Sequence, residues 1–265
     1  GLGDVYKRQQ LTIILSTKGG NKNEETKKSD QQKEGSKPEA AQTSTTTQAN
    51  NTTQTNKGCE HNWITNYKTE SWAAEYGNKL NMSYETLDNI IQQGTAMGTF
   101  MYIYSGGEPL VRKDDIIRLC EAHPDCMFLA FTNGTLIDED FCQEMLRVKN
   151  FVPAISLEGF EEANDFRRGK GVYQKVADAM ALMKKHKLPF GISACYTSVN
   201  YKDITSEKFY DLIMDLGAYF VWFFHYMPVG NDAAPELMPN PEQRAEVYRR
   251  IRAMRETKGI FAMDF

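Results

Sequence analysis

Apolar and polar positions alternate in two different ways along this chain, and the change falls near Trp72. From Thr17 to Gly58 there is no Val, Ile, Leu, Met, Phe, Trp or Tyr. Such a stretch has no apolar area to offset a backbone ordering cost of roughly 1–2 kcal/mol per residue, so disorder is expected over residues 1–71. From Trp72 onward, short apolar runs alternate with segments of helical period. Leu87, Ile90, Ile91 and Met97 sit at helical spacing behind Ser83, which predicts a helix capped by that serine. Further helices are predicted over Asp114–His123, Asp138–Lys149, Val172–Lys187 and Ser206–Leu216. A last one runs from Asn240 to about Lys258, where Asn240-Pro241-Glu242-Gln243 supplies cap, first-turn proline and capping-box glutamine. Strands are predicted to begin near residues 100, 127, 151, 190, 219 and 260. Continuously apolar strands with helical crossovers imply a parallel sheet covered by helices. A barrel and a doubly wound sheet both satisfy that pattern.

In either parallel fold, ligands bind beyond the carboxyl ends of the strands. Those ends read Ser105-Gly106-Gly107-Glu108-Pro109, Thr132-Asn133-Gly134, Ser156-Leu157-Glu158-Gly159, Thr197-Ser198-Val199-Asn200 and His225-Tyr226-Met227-Pro228. Two adjacent glycines let a backbone carbonyl approach an ammonium group with no Cβ in the way. Asn133 and Ser156 offer hydrogen bonds to a polar ligand. Arg167 or Arg168 offers a bidentate pair to a carboxylate. Together they suit a ligand that carries both an amine and a carboxylate. Glu108, followed by proline in a turn, is expected to fix its loop through backbone hydrogen bonds rather than to act as a catalytic acid. His225 at a strand end is read first as a hydrogen-bonded structural histidine and second as a general base. His123 and His186 lie near helix C-termini, where a cation is favoured.

Composition sharpens the division. The whole chain has 265 residues and a formal net charge of −4, which argues against non-specific nucleic-acid binding and against polybasic membrane binding. Residues 1–71 hold 10 Lys+Arg, 8 Asp+Glu and three aromatics, whereas residues 72–265 hold 21, 27 and 27. Only the second part has the make-up of a packed core. The first methionine is Met82, and an apolar run has just begun at Ile260–Phe265, so the chain reads as a fragment open at both ends. Asp4-Val5-Tyr6-Lys7-Arg8-Gln9 is the translation of a transposase-library sequencing adapter, a reading preferred to an ordinary polar N-terminus. Leu11–Leu15 is the longest apolar run near the front, far short of a spanning helix, and is compatible with the tail of a signal peptide or anchor. The segment after it resembles the polar stalk of a bacterial surface protein, which points outside the cytoplasm.

The ordered series Gly106-Gly107-Glu108-Pro109, Thr132-Asn133-Gly134, Ser156-Leu157-Glu158-Gly159 and the Arg-rich Arg167–Tyr173 stretch resembles the radical S-adenosylmethionine (radical SAM) enzymes. The resemblance covers Trp72–Phe265 and implies a truncated, partial (β/α)6 barrel in a cytoplasmic core. It implies that Ser105, Gly106, Gly107, Glu108 and Pro109 surround the amino group of SAM. It further implies that Asn133, Ser156, Glu158, Arg167, Arg168, Asn200 and Pro228 serve its carboxylate, ribose and adenine. The family's reaction would be reductive cleavage of SAM to a 5′-deoxyadenosyl radical that modifies a peptide or a small molecule.

That resemblance also implies a Cys-x3-Cys-x2-Cys loop holding a 4Fe-4S cluster. Counting back from Trp72 places its three positions at Ile64, Lys68 and Ser71. Isoleucine and lysine cannot replace thiolates, and serine does so poorly. Cys59 and His61 are out of spacing and form half a zinc site at best. Cys120, Cys126, Cys142 and Cys195 fall in or beside core elements, where cysteine is usually a small buried hydrophobe. No metal site is therefore expected. The loss has two readings, a natural pseudoenzyme that retains SAM affinity, or a chimera joined at Ser71/Trp72. The composition break and the adapter favour the chimera. A surface-anchored α/β interaction module is a third possibility.

Overall fold

A computed structural model describes residues 11–17, 82–228 and 234–265. The positions Cys59, His61, Ile64, Lys68 and Ser71 lie outside them, as does most of the segment expected to be disordered.

The described residues form one seven-stranded sheet in the order β1-β2-β3-β4-β5-β6-β7. The strands are β1 (Leu11–Thr17), β2 (Thr99–Gly106), β3 (Met127–Thr132), β4 (Phe151–Ser156), β5 (Gly191–Tyr196), β6 (Phe220–His225) and β7 (Phe261–Asp264). β2 to β7 are all parallel. β1 pairs antiparallel with β2, with Leu11 opposite Gly106 and Ser16 opposite Met101. The six parallel strands thus follow sequence order without reversal. A doubly wound sheet reverses its order at a switch point, so this order settles the choice in favour of a curled partial barrel.

The helices are α1 (Tyr84–Ala96), α2 (Lys113–Ala122), α3 (Glu139–Val148), α4 (Glu161–Arg168), α5 (Val172–Lys185), α6 (Tyr201–Ile204), α7 (Glu207–Leu216) and α8 (Pro241–Thr257). Their starts follow local chemistry. Ser83 accepts from Thr86 N, Asp138 from Phe141 N and Ser206 from Phe209 N. Asn240 and Gln243 form the reciprocal capping box. α4 and α6 are additions to the sequence-based series. Both are short, and α4 is so polar that its only buried residue is Asn164.

Alternation along each strand divides the sheet into two faces. Tyr102, Tyr104, Phe128, Ala130, Ile155, Ile192, Ala194, Val221 and Phe223 face the helices and are fully buried. On the other face Leu129, Ala154 and Trp222 are buried, with Met101, Ile103, Phe131, Phe220, Phe224 and Met263 half-buried against them. Phe131 packs on Trp222 and Phe224 with ring centroids 5.5 Å apart, and Phe265 stacks on Phe224 at 5.0 Å. Two glycines are required by space. A Cβ on Gly191 would lie 2.1 Å from the Phe220 ring. Gly134 has φ +75°, and a Cβ there would lie 2.9 Å from Ile155 Cγ2.

Candidate functional site

Two glutamates organise the carboxyl ends of the parallel strands. Glu108 follows β2, and its carboxylate is closed by neutral donors. Oε1 accepts from Leu110 N at 2.9 Å and from Thr132 Oγ1 at 2.6 Å, and Oε2 accepts from Asn133 N at 2.7 Å. The loop-fixing role expected of Glu108 is the one it has. It ties the Gly106-Gly107 turn to the end of β3. Asn133 in turn forms an Asx-turn, with Oδ1 accepting from Thr135 N at 2.9 Å and from Thr135 Oγ1 at 2.7 Å. Ser105, Gly107 and Asn133 are half-buried, whereas Pro109 is buried.

Glu158 follows β4 and is closed by cations. It is 2% exposed. Oε1 accepts from Arg168 Nη2, and Oε2 accepts from Arg167 Nη1 at 3.0 Å and from the Cys195 amide at 3.1 Å. Its main chain is held on both sides. Its N–H donates to Asn164 Oδ1 at 3.2 Å, and its carbonyl accepts from Asn200 Nδ2 at 3.2 Å. Asn200 also donates to the Cys195 carbonyl and accepts from Thr197 N and Thr197 Oγ1. Its amide is therefore used up in holding the ends of β4 and β5 together. Ser156 pairs with Ser193 in the ladder and is half-buried, as is Pro228.

Nine of the twelve predicted residues thus gather into two groups, and Ser105, Ser156 and Pro228 belong to neither. Gly106 to Pro109 and Asn133 meet through Glu108. Arg167, Arg168 and Asn200 meet through Glu158. Asn164, Thr132 and Cys195 were not singled out as ligand-site residues from sequence, yet they complete these groups. Asn164 carries no sequence signal, because its burial depends on α4 folding back over the end of β4. Asp165 caps the next helix from outside, accepting from Gly171 N at 2.5 Å and Tyr173 N at 2.7 Å. Those two amides hold its carboxyl below the usual carboxylate range.

The remaining titratable candidates are structural. His225 Nδ1 lies 3.0 Å from the Phe265 carbonyl. His123 pairs with Asp88 at 2.6 Å, and His186 with Glu139 at 2.6 Å. Cys120, Cys126 and Cys142 are buried and Cys195 is partly so; all four are free thiols. Burial pushes the Cys142 thiol up to about 11 and raises those of Cys120 and Cys195.

The sequence model of the radical SAM superfamily matches residues 57–216, more than half of the chain. This chain belongs to the radical SAM superfamily. The match begins ahead of Trp72, so residues 57–71 lie within it. An uncharacterized protein of Archaeoglobus fulgidus is 35% identical over 130 residues, which cover 49% of this chain and 29% of that protein. The AdoMet-dependent heme synthase of Methanosarcina barkeri is 26% identical over 161 residues, covering 59% of this chain and 45% of the synthase. Among solved structures, anSMEcpe with bound AdoMet and a Kp18Cys peptide aligns with TM-score 0.54 at 20% identity, covering 69% of this chain and 55% of the other. That alignment supports the partial barrel as the fold. This chain spans less than half the length of those two sequence relatives.

Radical SAM enzymes use SAM and a 4Fe-4S cluster. The two groups fit this chain differently. The sequence contains no Cys-x3-Cys-x2-Cys, and the four described cysteines are distributed over α2, α3, β5 and the turn before β3. Among the described residues no three His, Cys, Asp or Glu side chains gather to hold a metal. A carboxylate-bearing ligand does suit the strand ends. Arg167 and Arg168 place two guanidinium groups at the end of β4, and Arg168 Nε is buried with no acceptor among the described residues.

Proposed function

We propose that this chain is a radical SAM core that keeps a SAM-binding rim but, as it stands, is not competent for reductive cleavage. The observation that carries the reading is the pair of guanidinium groups held at the end of β4. One buried carboxylate holds two guanidinium groups whose side chains are 31% and 17% exposed. Guanidinium groups fixed at a strand end suit the carboxylate of an amino-acid-type ligand. The Gly106-Gly107 turn, braced by Glu108, presents backbone carbonyls to the ammonium group. Ser105, Asn133, Ser156 and Pro228 remain as groups for the ribose and adenine. Glu108, Glu158 and Asn200 support these residues rather than touch the ligand, because their polar atoms are taken up by the protein.

The inactivity follows from the donor set. Neither Ile64 nor Lys68 offers a thiolate, and the other cysteines are out of spacing. What the described residues supply is ligand binding and orientation. The substrate class is a peptide or a small molecule, a reading supported by the peptide bound in the aligned anSMEcpe structure. No helix among the described residues is long and apolar enough to cross a membrane. The core is read as cytoplasmic, in keeping with its four free thiols.

Calorimetric titration of the full chain with SAM tests the reading. Saturable binding that is lost in Arg167→Gln/Arg168→Gln is expected. Absence of heat, or binding indifferent to both arginines, overturns it.

A further inference from the structure

The strands that carry the rim have a second face, turned away from the helices. β2 to β6 contain no Asp, Glu, Lys or Arg. The one carboxylate of β7, Asp264, accepts from the hydroxyl of Tyr196, which is buried among the helix-side residues. The inner face of the parallel strands is therefore uncharged. One row crosses it near the carboxyl ends. Ser156 is in register with Ser193, Ser193 with Trp222 and Trp222 with Met263. Alternation puts this row on the same side as Leu129 and Ala154. Ser156 belongs to the ligand rim, and Trp222 stands two strands away, roughly 10 Å at ~4.8 Å per strand. Trp222 is 9% exposed, and its Nε1 is buried with no hydrogen-bond acceptor among the described residues. A buried indole N–H ordinarily has a partner. The rings packed on it, Phe131, Phe220 and Phe265, have centroids 5.4 to 5.5 Å away and are themselves half-buried or exposed. An occupant thus reaches the donor by moving side chains, with the sheet unchanged.

We propose that the Ser156–Ser193–Trp222 row is the substrate floor beside the SAM rim, and that it takes an uncharged, apolar residue of a peptide whose backbone carbonyl accepts from Trp222 Nε1. Calling the occupant a substrate rests on the SAM reading above; the binding itself does not. An apolar side chain lies on the Phe131 and Phe224 rings, and its own amide supplies the acceptor that the indole lacks. A charged side chain or a small carboxylic acid would bury its charge against strands that hold no counter-ion, which weakens its binding. Trp222 is the specificity-determining residue of the floor, since it alone asks the apolar occupant for an acceptor.

The test is NMR titration of the full chain, nitrogen-labelled at tryptophan, with N-acetylphenylalanine amide, N-acetyllysine amide and phenylpropionate. The chain has three tryptophans, and Trp222→Phe assigns the indole signal of Trp222. The phenylalanine amide is expected to move that indole proton downfield and saturably, and the two charged probes to bind at least ~10-fold more weakly. Trp222→Phe keeps a ring in place, so it should weaken the phenylalanine amide about fivefold, the share of one hydrogen bond, in ligand-observed NMR. Toluene, which offers no acceptor, should bind both proteins within about twofold, whereas a merely structural role would weaken both ligands together. If Trp222→Phe fails to fold, Trp63→Phe and Trp72→Phe assign the signal by elimination and the three-probe comparison on the wild type decides. A charged probe that binds as tightly, an unmoved Trp222 indole, or no saturable binding overturns the proposal. The titrations contain no SAM. A chain that binds the amide and not SAM therefore loses the SAM reading and keeps the floor, and the reverse result overturns the floor alone.

Discussion

Glu108 and Glu158 occupy the same place in two βα units, each in the turn that follows a parallel strand, and each has its carboxylate closed by protein donors. They differ in what closes them. Glu108 accepts from a hydroxyl and two backbone amides, all neutral. Glu158 accepts from two guanidinium groups and one amide. The first arrangement shapes a loop, tying the Gly106-Gly107 turn to the end of β3. The second is an ion-pair cluster, in which one buried carboxylate holds two guanidinium groups. The same residue type in the same topological position is therefore closed by neutral donors at one strand end and by cations at the other.

That contrast can be broken at several points. The largest effect is expected from Glu158→Ala, which leaves two partly buried arginines and the Cys195 amide without their acceptor. A loss of about 3 kcal/mol in chemical denaturation is predicted, by analogy with breaking a buried ion pair from one side. Glu108→Ala strands only neutral donors, and about 2 kcal/mol is expected. It should also weaken SAM binding, because the Gly106-Gly107 turn loses its brace, and an unchanged SAM affinity would contradict that role. Asp138→Ala removes a helix cap that bonds to neither glutamate and should cost about 1 kcal/mol without altering SAM affinity. The smallest effect is one of pH. Asp138 is held below the usual carboxylate range first by Lys113 and further by the Phe141 amide, and Asp165 by the Tyr173 and Gly171 amides. Groups with lowered folded-state values contribute stability that is full above the unfolded carboxylate value and is lost as pH falls through the folded one. A shallow acid limb, flattened in Asp138→Asn, is the expected denaturation profile.

Much of this architecture was legible in the sequence. Ser83, Asp138 and the Asn240–Gln243 box mark helix starts because capping is local chemistry. The apolar strands reveal a parallel sheet because both faces are covered. Periodicity leaves the choice between a barrel and a doubly wound sheet open, because it depends on which strands become neighbours; the strand-end motifs, through their resemblance, imply the partial barrel that the strand order has. The inward turn of Arg167 and Arg168 was not legible. Exposed arginines on a polar stretch read as ligand-facing or solvated. Only the helix Glu161–Arg168, folded back over β4, brings them to a carboxylate nine and ten residues earlier. Leu11–Thr17 pairs with the edge of β2, and its sequence carries no strand signal of its own. A strand contributed by so short an apolar run is set by the available edge rather than by its own pattern.

We propose that this radical SAM core retains the rim and lacks the ligands for its cluster. Anaerobic reconstitution of the full chain with iron and sulfide, followed by incubation with SAM and a strong reductant, tests it most directly through the yield of 5′-deoxyadenosine. The account predicts no 5′-deoxyadenosine above that of a protein-free control. Catalytic formation of 5′-deoxyadenosine would contradict it.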